Sequence, residues 1–174
     1  MYNHFEIDRM LRSMVILYDT REHETQALRD RLAGFSCPAE RRKLDYGDYS
    51  VQYTDLGGNI VPLDHVMSVE RKMSLDELCA CYTSGRERFR REFERARLDG
   101  AKIHMIVENA TYEKMFGGNY RSRLNPNALT ASHLAWAERY RIQLHFCRPE
   151  TTGKLIYKIL YYGLKVYLEQ KEAA

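Results

Sequence analysis

Residues 68–78, SVERKMSLDEL, read as an apolar strand that runs directly into a helix. Glu70, Arg71, Lys72 and Asp76 crowd the junction. A loop would solvate these charges at lower cost, so their place at a strand end needs a reason. Side chains alternate across a strand, which puts Glu70 and Lys72 on one face and Arg71 on the other. An acid and an amine two residues apart on one face can share one small site.

The segments upstream supply further acids. ERRKLDYGDYSVQYT (40–54) reads as two strand pieces hinged at Gly47, with Tyr49, Val51 and Tyr53 alternating on one face. DLGGN (55–59) is a turn, and 60–72 is the returning strand. If 48–54 runs against 63–70 about one for one, Asp48 arrives beside Glu70. Asp19 ends the apolar strand MVILYDT (14–20) and can approach from a neighbouring strand. Three carboxylates gathered in one place repel each other unless a cation neutralises them. Oxygen ligands favour Mg²⁺ or Mn²⁺ over zinc. Such an ion, a lysine beside it and an arginine-rich helix suit cleavage of phosphodiesters. The ion makes a bound water acidic, and Lys72 orients that water or stabilises the developing charge. Acidic strand ends also occur as plain solubility features, and that alternative stays open on pattern alone.

SGRERFRREFERAR (84–97) carries six arginines and no lysine. The planar guanidinium suits phosphate oxygens. Glu87, Glu92 and Glu94 can equally pair with those arginines along a solvated helix face. Phe89, Phe93 and Ala96 form its apolar stripe, and Ser84-Gly85 breaks it from the helix before. The rest of the chain reads as a helix over 22–34, a strand over 101–109, a short helix and polar loop over 112–127, a helix over 127–140, a strand over 142–147 and a helix over 151–170. The order β-α-β-β-β-α-β-α-β-α implies an α/β fold, a mixed sheet flanked by helices. In the 115–127 loop, Tyr120, Arg121 and Arg123 can stack on a base and hold phosphates, or form an ordinary surface loop. The last helix has two apolar stripes, Ile156-Leu160-Leu164-Leu168 and Leu155-Ile159-Tyr162-Val166. One suits the sheet and the other a second copy, so a homodimer through this helix is expected.

The 174 residues carry a net charge of only +3, too small to identify a partner by itself. Cys37, Cys79, Cys81 and Cys147 match no zinc spacing and read as reduced thiols. No apolar run reaches the roughly 18 residues of a membrane span, and the N-terminus lacks signal-peptide features. The expectation is an intracellular protein of the cytoplasm or nucleoid, with no membrane partner.

DTRE (19–22), YGDY (46–49), VERKMSLDEL (69–78) and SGRERF (84–89), followed by IHMIVE (103–108), together resemble the nuclease domain of the XPF family of structure-specific DNA endonucleases. The family pattern, Gly-Asp then Glu-Arg-Lys, three residues and Asp, stands here as Gly47-Asp48, Glu70-Arg71-Lys72 and Asp76. The resemblance implies a restriction-endonuclease-like α/β core and Mg²⁺- or Mn²⁺-dependent cleavage of branched DNA such as a flap, fork or Holliday junction. It implies that Asp48 and Glu70 are the principal metal ligands, with Asp19 in the acidic cluster and the Arg71 carbonyl nearby. Lys72 should position or activate water. Glu22 lies beside the cluster, and Arg21 contacts the scissile phosphate or holds the acids. Arg71 serves structure or DNA on the other strand face, Asp76 caps the next helix or braces Lys72 or Arg71, and Arg86 and Arg90 grip the DNA backbone. A tandem helix-hairpin-helix module, usual in cellular members, is not expected, so 1–174 reads as one nuclease domain in a form that suits a phage or other mobile element. Two alternatives remain: a silent DNA-binding subunit, and a nuclease of the same core acting on ordinary duplex or single-stranded DNA.

Overall fold

In the computed structural model, which describes residues 2–171, β5 (Met67–Lys72) lies inside a seven-stranded mixed sheet. Residues 1 and 172–174, at the bounds of the expected domain, lie outside the described residues. The remaining strands are β1 (Val15–Tyr18), β2 (Ala39–Arg41), β3 (Tyr49–Thr54), β4 (Ile60–Pro62), β6 (Lys102–Glu108) and β7 (Ile142–Cys147). Their order is β2-β1-β3-β5-β6-β7, with β4 pairing β3. β3 runs antiparallel to β1, β4 and β5, whereas β5, β6 and β7 are parallel. The helices are α1 (His4–Arg12), α2 (Gln26–Ala33), α3 (Leu75–Tyr82), α4 (Arg86–Asp99), α5 (Tyr112–Phe116), α6 (Pro126–Tyr140) and α7 (Pro149–Gln170).

Alternation along the strands builds a separate core on each face. Ile103, Met105 and Val107 of β6 pack with Leu78, Phe89, Phe93 and Trp136 from α3, α4 and α6. Met67 and Val69 of β5 and Ile106 of β6 pack on the other face against α1 and α7. The same alternation sends Glu70 and Lys72 towards α3 and α4 and Arg71 towards α7. Both sides of the sheet are therefore covered, as the element order implies.

Three expectations change. The hairpin holds register at the site, where Tyr49 pairs with Val69, but farther out Thr54 pairs with Ile60. Residues 63–66 turn between β4 and β5, with Met67 N–H donating to the Leu63 carbonyl at 3.0 Å, so the returning strand is two strands. The first half of 40–54 is not part of the hairpin: β2 pairs in parallel with β1. The helix expected from residue 22 begins at Gln26, because Thr25 Oγ1 accepts from Leu28 N–H at 3.2 Å and caps it. In addition, α1 is a helix the pattern reading passed over. Asn3 and Glu6 form a reciprocal capping box at its start, and Ile7, Met10 and Leu11 are its buried stripe.

Of the two stripes on α7, Ile156, Leu160, Leu164 and Leu168 are fully buried on the sheet. Gly153 lets this helix cross α2 closely, since a Cβ there would lie 2.3 Å from the Arg31 carbonyl oxygen. Gly153→Ala should therefore cost roughly 1–3 kcal/mol by overpacking. It should lower the urea midpoint, and an unchanged midpoint would show that α2 and α7 do not approach this closely.

Candidate active site

Gly47 adopts φ +71°, and a Cβ on it would meet Ser68 Oγ at 2.7 Å. Both facts require glycine, and the turn it makes delivers Asp48 to the end of β3. Asp48 N–H donates to the Val69 carbonyl at 2.8 Å, and Arg71 N–H donates to Asp48 Oδ2 at 2.8 Å. Asp48 is thus fastened to β5 beside Glu70, where the sequence placed it. Glu70 is buried and accepts from the Lys72 ammonium in a direct ion pair. Lys72 is also buried, with Nζ 4.3 Å from the centroid of the Phe89 ring.

Burial pushes the Asp48 carboxyl well above its usual range, and the charge on Glu70 adds to the shift. Lys72 and the Arg71 N–H pull against it. Burial raises Glu70 likewise, against the opposing pull of Lys72. For Lys72, burial disfavours the ammonium, but the charges of Glu70, Cys81 and Asp48 prevail and raise its pKa above the ordinary lysine value. Lys72 therefore stays protonated near neutral pH. It can donate hydrogen bonds and stabilise negative charge, but it holds no free lone pair to act as a base.

Asp19 is fully buried, yet its oxygens are occupied. Oδ1 accepts from Arg21 N–H at 2.8 Å and Arg21 Nε at 2.6 Å, and Oδ2 accepts from Leu44 N–H at 2.7 Å. Arg21 continues to Glu92 Oε1 at 3.0 Å and the Gly47 carbonyl at 3.3 Å. Of its two anticipated roles, the structure shows bracing: Arg21 ties the end of β1 to the Gly47 turn and to α4. Glu22 Oε2 accepts from Arg31 at 2.7 Å and from Tyr49 Oη at 2.9 Å, so it anchors α2 to β3. The trio of Asp19, Asp48 and Glu70 does not gather around one point. Among the described residues, no group of three His, Cys, Asp or Glu side chains is placed to hold a metal ion.

On the opposite strand face, Arg71 Nη1 donates to Glu108 at 3.0 Å, and Thr152 Oγ1 donates to the other Glu108 oxygen at 2.7 Å. Arg71 thus serves structure at the start of α7, with its buried Nε unpartnered. Asp76 neither caps α3 nor braces the site. Ser74 is the cap, and Asp76 accepts from the N–H groups of Arg121 and Ser122 at 2.8 and 2.7 Å. Asp76 thereby fixes the 115–127 loop, where Arg121 and Arg123 are exposed but Tyr120 is tied to the Leu124 carbonyl at 2.8 Å instead of free to stack.

The arginines of α4 separate onto two flanks of the Phe89-Phe93-Ala96 stripe. Arg88, Arg91 and Arg95, spaced i, i+3, i+7, share the flank on the side of the acids. Arg88 lines a cleft of about 330 Å³ with Lys72, Glu77 and Phe89, and Arg95 donates to the Asp45 carbonyl at 2.8 Å. The two arginines expected to grip DNA sit on the other flank. Arg86 lies 5.3 Å from the Trp136 ring centre and donates to the Tyr82 carbonyl at 3.3 Å, and Arg90 pairs with Glu87 at 3.1 Å. Arg88, Arg91, Arg95 and the buried Glu92 are residues that the pattern reading left without a role in the site. Their signal was the apolar stripe itself, which divides the arginines into these two sets.

Asp48 and Glu70 suit a small hard cation. Asp48 Oδ2 and Glu70 Oε1 are engaged, while the second oxygen of each accepts no hydrogen bond among the described residues. Mg²⁺ is commonly held by one or two carboxylates with water completing its shell, so two acids suffice. The histidines offer no alternative centre. His133 is buried against Tyr82 Oη at 2.9 Å, His104 and His145 bond each other at 3.0 Å, and His65 pairs with Asp99. The four cysteines are free thiols.

The profile of the ERCC4 domain matches residues 18–159. The chain belongs to the ERCC4 domain family. The solved structure of XPF from Aeropyrum pernix superposes with a TM-score of 0.59 at 20% identity, over 91% of this chain and 62% of that one. XPF from Aeropyrum pernix in complex with DNA superposes with a TM-score of 0.58 at 18% identity, over 92% of this chain and 68% of that one. This chain thus spans less than two thirds of the first of these structures. A search of curated proteins returns no match. The ERCC4 family and the superposition together identify an XPF-family nuclease domain with a restriction-endonuclease-like fold, as the motifs implied.

In this ERCC4 domain the raised carboxyls have a measurable consequence. A carboxyl whose pKa is raised by folding stabilises the protein below the ordinary carboxylate pKa of about 4. That contribution is lost as pH rises through the elevated folded value. Asp48→Asn removes the half-buried charge while keeping an oxygen for Arg71 N–H. In EDTA the variant should melt several degrees above the parent at pH 8, with the advantage shrinking towards pH 4. A variant that melts below the parent at pH 8 would show that Asp48 is not held at a desolvation cost.

Proposed function

We propose that this chain is a Mg²⁺- or Mn²⁺-dependent DNA endonuclease that hydrolyses phosphodiester bonds in branched or structured DNA. One observation carries the reading: Asp48 and Glu70 stand side by side at the ends of β3 and β5, one oxygen of each free of hydrogen bonds among the described residues, with a charged lysine against Glu70. An ion held by these two acids would supply Lewis acidity and a water acidic enough to ionise near neutral pH. Asp48 and Glu70 offer their free oxygens as ligands. Lys72 donates to the attacking water or to the charge that grows on the phosphoryl oxygens. Asp19, Arg21 and Glu92 hold the Gly47 turn in register with β5. Arg88, Arg91 and Arg95 grip the strand entering the cleft. Exposed Arg121 and Arg123 extend that contact, with Arg86 and Arg90 secondary because they stand on the flank of α4 away from the acids. DNA as partner agrees with the DNA complex of XPF from Aeropyrum pernix. No helix among the described residues is long and apolar enough to cross a membrane.

Glu70→Gln should abolish cleavage of a labelled fork in Mg²⁺ while leaving DNA affinity within about twofold, because affinity rests on phosphate contacts. It should also remove the rise in melting temperature that Mg²⁺ gives the parent. Residual cutting by Glu70→Gln would refute the site. A parent that binds DNA, cuts nothing and gains no stability from Mg²⁺ or Mn²⁺ would instead make the chain a silent DNA-binding subunit. Comparison of fork, flap, four-way junction, linear duplex and single strand separates a structure-specific enzyme from a general nuclease.

The homodimer belongs to the same proposal. On the outer stripe of α7, Tyr162 and Val166 remain 55% and 41% exposed beside Ile159, above a groove of about 550 Å³ that also reaches Met67 and His104. Tyr162→Asp should convert a dimer to a monomer in light scattering, with cleavage per chain measured in parallel. A monomeric parent at high micromolar concentration ends this part of the reading.

A further inference from the structure

The second flank of α4 leads to a cavity that the cleavage site does not use. About 480 Å³ in volume, it lies where α4, α6 and the start of β6 meet, and Arg97, Arg139 and Arg141 line it with Glu138 and Tyr140. Arg97 pairs with Glu94, whereas Arg139 and Arg141 are exposed and make no ion pair among the described residues. Arg141 precedes β7, so the cavity sits at the amino ends of the parallel strands whose carboxyl ends carry Lys72. A six-residue strand separates the two places by roughly 20 Å.

Arg141 also holds an unfavourable backbone position. It ends α6 with φ 54° and ψ 41°, a left-handed geometry that glycine or asparagine adopts most easily. Arginine here spends conformational freedom on placing a guanidinium at the cavity mouth, and such strain points to function. Two unpaired arginines beside Arg97, which Glu94 holds, outnumber the Glu138 carboxylate at this cavity and leave it cationic, separate from the Arg88-Arg91-Arg95 flank by the thickness of one helix.

We propose that Arg97, Arg139 and Arg141 hold the phosphate backbone of a second arm of a branched DNA, with α4 standing between this arm and the one being cut. The proposal rests on the reading of the chain as a DNA endonuclease. It gives that reading a structural source for a preference among substrates, since a linear duplex fills only one flank.

The test is fluorescence anisotropy of the full chain in Ca²⁺ with a fork and a linear duplex of matched sequence, across a salt series. The Arg139→Gln/Arg141→Gly double variant should bind the fork more weakly, and its log–log salt slope should be smaller by about 1.8, for two lost phosphate contacts. Affinity for the linear duplex and the rate of cutting it in Mg²⁺ should not change. Arg141→Gly alone should melt at or above the parent temperature, because glycine relieves the left-handed position, which separates lost binding from lost folding. Unchanged fork affinity overturns the second-arm site, as does an equal loss on fork and duplex. A parent chain that binds neither DNA removes the endonuclease reading as well, a result distinct from a parent that binds both and a variant that matches it.

Discussion

Glu70 is buried and Asp48 half-buried beside it on the adjacent strand, and the architecture around them is arranged to tolerate that. Isolated carboxylates in such a place are strongly disfavoured. Here Lys72 neutralises one acid, Arg71 N–H satisfies an oxygen of the other, and each remaining oxygen is left free. Both compensating groups come from β5, the strand that carries Glu70. Position therefore depends on register: a one-residue slip of β3 against β5 would turn the acid of β3 to the wrong face. Gly47 at φ +71° and the Asp48 N–H bond to Val69 hold that register at the strand end.

The charged residues around this pair divide by what their hydrogen bonds leave over. Asp19, Arg21 and Glu92 use their capacity on one another, on Leu44 N–H and on the Gly47 carbonyl. Arg31, Glu22 and Tyr49 close a similar network under α2. Arg71, Glu108 and Thr152 do so at the start of α7. Groups spent in this way fix elements in place, whereas one oxygen each of Asp48 and Glu70 accepts no hydrogen bond among the described residues. Side chains from neighbouring positions of one motif thus perform different work, since alternation sends them to opposite faces of the sheet.

What the sequence revealed follows from short-range geometry. The two-residue alternation of VERK placed Glu70 and Lys72 together and the Phe89-Phe93-Ala96 stripe oriented α4, while Asp48 reaches Glu70 only because the turn over 63–66 resets the register that DLGGN begins. The ERCC4 membership confirms the family that the motifs suggested. Readings failed where a partner lies far along the chain. Nothing local announces that Asp19 accepts from Leu44, that Arg21 reaches Glu92, or that Asp76 holds the loop at Arg121. The choice between the flanks of α4 also needed tertiary structure, because the stripe defines two sides but not which one meets Lys72. By contrast, α1 was legible, since Asn3 and Glu6 stand at capping-box spacing before an apolar pattern.

The paired acids also weigh between an active chain and a silent one. A subunit kept only to bind DNA gains nothing from Asp48 and Glu70. An amide at position 48 would lift that residue's desolvation cost and keep an oxygen for Arg71 N–H, whereas Glu70 neutralises the buried Lys72 and an amide there would leave that charge unpaired. Selection for stability alone would move such a chain towards the amide at position 48, because proteins sit only slightly above their stability threshold. The acid at position 48, Lys72 against its neighbour Glu70 and the glycine turn that delivers Asp48 together depart from the most stable solution, as the proposed site would require. A divalent ion held by the free oxygens of Asp48 and Glu70, as proposed, would offset that cost and leave Lys72 to donate to a phosphate.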